Sequence, residues 1–184
     1  MWILQVSTHC TKSLFSYQMC SIPLKTVEQH SYLGVYLHHR MSWQPHIDFI
    51  CNKANHLLGF LYRNLRHYPS NLKQCAYKQL ILPTLDYCSP IWDPYQHKLI
   101  YKLEMIQHRA ARFVLNQQWS EHHRHSISEM LHKLNWTSLE TKRKQARLIF
   151  LFKMLNKQIS IPEQYLPSLF PVSATRSHHP LKLQ

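Results

Sequence analysis

The sequence predicts a mainly α-helical fold: a bundle of about five helices behind a small N-terminal β element. Three observations predict it. The chain has 184 residues but only two glycines, Gly34 and Gly59, which argues against hairpin-rich sheets and glycine phosphate loops. Apolar residues recur at helical spacing from residue 42 onward. Prolines fall where those periodic stretches start, bend or stop. At 45% hydrophobic residues the chain can bury a core, and one domain or slightly more is expected.

Residues 1–41 read as short strands. Trp2–Val6 is apolar and β-leaning, and Ser31–Leu37 carries Tyr32, Val35 and Tyr36. Gly34 within it reads as a bulge or close backbone approach, and Pro23 as a turn or edge. Two or three strands cannot stand alone in water, so they need helices or a missing sheet beneath them.

The first helix opens at Ser42, a good N-cap, with Pro45 in its first turn. Trp43, Ile47, Ile50, Ala54, Leu57, Leu61 and Leu65 form its stripe, and Pro69 ends it. The second is capped by Ser70 or Asn71, shows Leu72, Ala76 and Leu80 on one face, and must kink or end at Pro83. Ser89-Pro90 and Asp93-Pro94 make a rigid corner around Ile91 and Trp92. The third helix spans about Gln96–Leu115, with Leu99, Leu103, Ile106, Ala110, Phe113 and Val114 in one stripe. Residues 117–125 form a polar loop. Ser126–Glu129 and Thr137–Glu140 match the capping box and open a short fourth and a longer fifth helix. Beyond Leu148 the fifth helix is apolar nearly all round, so that end should be buried. Four later prolines, from Pro162 to Pro180, make the tail irregular. The expected organisation is a β element at 1–41, helices at 42–157 and a tail at 158–184.

The net charge is +13, an excess that favours polyanionic partners. Residues 1–96 carry +4 and residues 97–184 carry +9. The third helix holds the cleanest pattern: Lys98, Lys102, Arg109 and Arg112 share a flank and could track a phosphate backbone. Lys142, Arg143, Lys144 and Arg147 form a second group on the fifth helix. Arg63 and Arg66 form a third.

Other chemistry is weakly supported. Polymerase-type phosphoryl transfer needs clustered carboxylates around two metal ions, and no two of the nine acidic residues lie within four positions of each other. His122, His123 and His125 lack a second spaced pair and read as a solvated loop rather than a metal site. No cofactor is indicated. The five cysteines have neither disulfide nor zinc spacing, which fits free thiols in a reducing compartment. No apolar run is long enough for a membrane span and no leader is evident, so a cytosolic or nuclear location is expected. Trp43 and Trp92 read as core. Trp119, in the polar loop, could equally serve a base contact, an interface or the core.

Several segments together carry a resemblance. They are YLGV at Tyr32–Val35, SWQPHI at Ser42–Ile47, FLYRNLRH at Phe60–His67, ILPTLDYCSPIWDP at Ile81–Pro94 and KLEMIQHRAARFV at Lys102–Val114. The stretch from about Tyr32 to Leu166, with SATRSHHPLKL at Ser173–Leu183, resembles the region after the catalytic centre of Jockey-like, non-LTR (LINE-type) retrotransposon reverse transcriptases. The resemblance implies that YLGV closes a palm and that the helices form a thumb-like domain against RNA, DNA or their hybrid. The family's aromatic-Ala-Asp-Asp turn is absent from this sequence. The resemblance therefore implies a truncated fragment that is not an enzyme by itself, with apolar surface left for a missing palm or for self-association. A protein-interaction module and a non-functional relic are the alternative readings.

Overall fold

The structure, a computed structural model, describes residues 2–4, 17–116, 127–162 and 164. It is mainly helical with a small N-terminal β region. Met1–Arg143 form one compact unit and Lys144–Gln184 a second.

Among the described residues the β region holds six short strands in three pairs. β1 (Trp2–Leu4) runs parallel to β4 (Lys25–Val27), while β2 (Gln18–Met19) pairs antiparallel with β3 (Ile22–Pro23). β5 (Gln29–Tyr32) and β6 (Val35–His38) pair antiparallel in the register Gln29 to His38 and Tyr32 to Val35. The expected single strand over Ser31–Leu37 is therefore a hairpin. Gly34 is not a bulge but the second residue of a two-residue turn. Leu33 and Gly34 both have positive φ, +48° and +81°, the backbone a tight hairpin turn requires.

The hairpin is tied to the helices. Val35 is buried in the helical core. The Tyr36 N–H donates to His46 Nδ1 at 3.3 Å, and the Tyr36 ring lies 4.8 Å from that of Phe49. The Tyr87 hydroxyl donates to the Leu33 carbonyl at 2.8 Å.

Helix α1 (Gln44–Leu65) is the central element, packing on β6, on the segment after α2, and on α5. It starts one residue later than expected, with Trp43 rather than Ser42 at the N-cap and Pro45 in the first turn. Ser42 Oγ still accepts the Gln44 N–H at 3.4 Å. Ile47, Ile50, Ala54 and Leu61 are buried as the stripe predicts, together with Cys51 and Leu58.

α2 (Ser70–Ala76) runs into a π-helical turn (Tyr77–Ile81) and then α3 (Leu82–Asp86). Pro83 supplies no N–H and crowds the carbonyl four residues back. The wider π turn, in which the Leu82 N–H reaches the Tyr77 carbonyl, carries the helix past it without a break. The buried face is Lys73, Tyr77, Ile81 and Leu85, whereas Leu72 and Leu80 are exposed. Of the expected Leu72, Ala76, Leu80 face, only Ala76 packs against the core. Tyr77 buries a larger ring, stacked on Trp136 at 4.2 Å, and that burial decides the rotation.

Cys88, at φ +52°, turns the chain into α4 (Ser89–Trp92). Trp92 is fully enclosed, as expected of a core residue, and its Nε1–H donates to the Tyr87 carbonyl at 2.7 Å. α5 (His97–Val114) buries all six residues of its predicted stripe. α6 (Ile127–Lys133) and α7 (Leu139–Leu155) follow.

The N-terminus of α7 is not held by the expected Thr137–Glu140 capping box. Ser138 Oγ accepts the Thr141 N–H at 3.2 Å, and Glu104 Oε1 of α5 accepts the Glu140 N–H at 2.6 Å. A carboxylate there meets the unpaired N–H groups and the positive end of the helix dipole. Burial still pushes the Glu104 carboxyl above its usual range.

In the second unit the apolar end of α7 is not buried as expected. Leu148, Ile149, Phe150 and Phe152 are exposed. Among the described residues of that unit, α7 has no second layer to lie against, and one layer cannot cover an all-round apolar helix.

Candidate nucleic-acid interface

The candidate interface is a cleft of about 660 Å³ between the C-terminal halves of α1 and α5. α1 contributes Asn55, Leu58, Gly59 and Tyr62. The turn after α1 adds Arg66 and His67. α5 adds Arg109, Arg112 and Phe113. Lys73 and Asn116 complete it. Among the described residues no carboxylate lines this cleft, so the cations there weigh most in its local potential.

The spacing explains why these cations converge. Arg109 and Arg112 lie three residues apart, on one side of α5. Their flank borders the buried stripe, so it runs along the α1–α5 seam rather than away from it. Arg109 Nη1 donates to Asn55 Oδ1 at 3.1 Å, which fixes the guanidinium at the cleft wall. Arg66 caps the C-terminal end of α1, where a cation also suits the helix dipole. Its guanidinium lies 6.0 Å from the Tyr62 ring centroid.

Lys73 sits behind the cleft floor and is fully enclosed. Its ammonium donates to the Arg66 carbonyl at 2.8 Å and to Asn116 Oδ1, and lies 5.0 Å from the Phe113 ring centroid. Asn116 takes a left-handed backbone, φ +54°, which suits Asn better than most residues. Burial pulls the Lys73 pKa below the usual lysine value. The oxygens and the ring face soften the desolvation of the ammonium without neutralising it.

The expected binding residues thus divide. Arg109, Arg112 and Arg66 line one cleft, which joins the first group to one member of the third. Arg63 is exposed on α1 outside the cleft lining, and Lys98 is exposed near the start of α5. Lys102 is held at the surface by Asp48 of α1 at 2.5 Å. Lys142 Nζ pairs with Asp86 Oδ2 at 3.2 Å. Arg143 is 1% exposed, and its Nε donates to Asp93 Oδ1 at 2.9 Å. It is a structural cation of the core, not one presented to a phosphate backbone. Lys144 and Arg147 lie exposed in the second unit. Lys73 was not anticipated, because the sequence pattern assigned the buried face to its neighbours.

His122, His123, His125 and Trp119 lie outside the described residues. Among the described residues, no group of three or more His, Cys, Asp or Glu could hold a metal ion. No described helix is long and apolar enough to cross a membrane. Comparison with known proteins finds no matching family model, no similar curated protein and no similar solved structure.

Proposed function

We propose that this chain is a non-catalytic, reverse-transcriptase-like fragment that binds the backbone of RNA, DNA or their hybrid through the α1–α5 cleft. The observation that carries the reading is Arg66, Arg109 and Arg112 lining one cleft in which no described residue is a carboxylate. Guanidinium groups suit phosphate because their planar fork of donors matches its oxygens. Contacts of this kind position a strand without reading its sequence. The segments resembling non-LTR reverse transcriptases support the same partner.

The test is fluorescence-anisotropy binding of the full chain to a labelled RNA–DNA hybrid across a salt series. Log affinity should fall linearly with log salt, and Arg66, Arg109 and Arg112 changed together to alanine should flatten the slope by about two to three units. An unchanged slope and affinity in the triple variant would sink the proposal. A second reading, a protein-interaction or self-association module, is favoured by the exposed apolar end of α7. Salt-insensitive binding with oligomers in solution would support that reading instead.

A further inference from the structure

We infer that the α1–α5 cleft is built for a single strand, with one unpaired base laid against Tyr62 and the adjoining phosphates held by the cleft cations. The inference rests on the nucleic-acid reading above and specifies which form of nucleic acid the cleft takes.

Three observations carry it. First, the site is concave, and about 660 Å³ lies in the range that encloses a ligand the size of a nucleotide. A duplex presents a convex surface with its base faces stacked inside, so it can offer such a cleft only phosphates. A single strand can insert a base.

Second, the cleft contains an aromatic platform. Tyr62 is 48% exposed. It is backed by Phe113, with ring centroids 5.6 Å apart, and flanked by the Arg66 guanidinium. An exposed ring beside an arginine is the arrangement on which unpaired bases stack, and every base has a face to offer it. Duplex backbone contact makes no use of such a ring.

Third, Arg66, Arg109 and Arg112 line the same cleft, and among the described residues no carboxylate does. A phosphate beside the stacked base would meet these guanidinium groups, whose planar donors match its oxygens.

The experiment compares two labelled probes on the full chain, checked for helicity by circular dichroism. One is an oligothymidylate of about 12 nucleotides, a length within single-strand site sizes. The other is a blunt RNA–DNA hybrid of equal length. The single strand should bind at least about tenfold tighter. Tyr62→Leu should weaken single-strand binding by about fivefold or more while leaving the salt slope unchanged, since stacking releases no counterions. Tyr62→Phe should restore the affinity. A hybrid that binds as tightly as the single strand, or a Tyr62→Leu variant that binds the strand like wild type, would overturn this inference and leave backbone binding standing. If a helical chain binds neither probe, both fall.

Discussion

At the scale of single residues, ion pairs of the same type have very different weight. Arg143 is enclosed and paired with Asp93, so Arg143→Ala takes the guanidinium away from a carboxylate whose side chain is 12% exposed. The expected loss is about 3–5 kcal/mol of stability, read from urea unfolding. Lys102→Ala breaks a pair with both partners in contact with water and should change stability by less than about 1 kcal/mol. If the two variants lose equal stability, the burial argument fails. Nothing in the sequence separates these two cations. Both sit on amphipathic helices among other basic residues, and only the packing shows which one is enclosed. Lys73 is the same problem in reverse. Its buried ammonium depends on the Arg66 carbonyl and on Asn116, forty-three positions away, and no local pattern encodes that.

At the scale of elements, the long helices were legible and the faces of the short ones were not. The stripes of α1 and α5 run for several turns, so the burial direction is averaged over many residues. The segment from α2 through α3 is brief, and its π turn shifts the helical phase midway, which a fixed period cannot follow. The hairpin was missed because its turn is made by Leu33 and Gly34, and Leu33 belongs to no usual turn pair. The apolar end of α7 is plain in the composition, but its burial needs a second layer, and the described residues of that unit supply none. Leu148 and Phe152 are 65% and 54% exposed and four residues apart. Changing both to glutamate should therefore shift stability by only about 0.5 kcal/mol, followed by thermal circular dichroism. A loss of several kcal/mol would show that these side chains are packed in solution, as the self-association reading requires.

At the scale of the whole molecule, the balance of basic charge and buried histidine sets the response to pH. Burial holds His46 and His108 below the usual imidazole pKa, with the Arg112 charge adding to the effect at His108. The unfolded chain then binds protons that the folded chain refuses. Stability is complete above the ordinary value of about 6.5 and is lost as pH falls through it toward the lowered folded values. Glu104 works in the opposite sense, since its raised pKa favours the folded state in acid, but its window opens lower, near 4.5. Between pH 7.5 and pH 6.0 stability should therefore fall as the histidines' unfolded-state protonation sets in. A urea midpoint equal or higher at pH 6.0 would contradict this. The histidine content was plain in the sequence, but which rings are enclosed follows only from the meeting of β6, α1, α4 and α5. One feature of that meeting also orders events in time. The Leu33 carbonyl is held by Tyr87, fifty-four positions later in the chain, and a two-stranded hairpin has little stability of its own. The hairpin is therefore expected to set after the loop to the helices has closed. In native-state hydrogen exchange its amides should open before those of the helices.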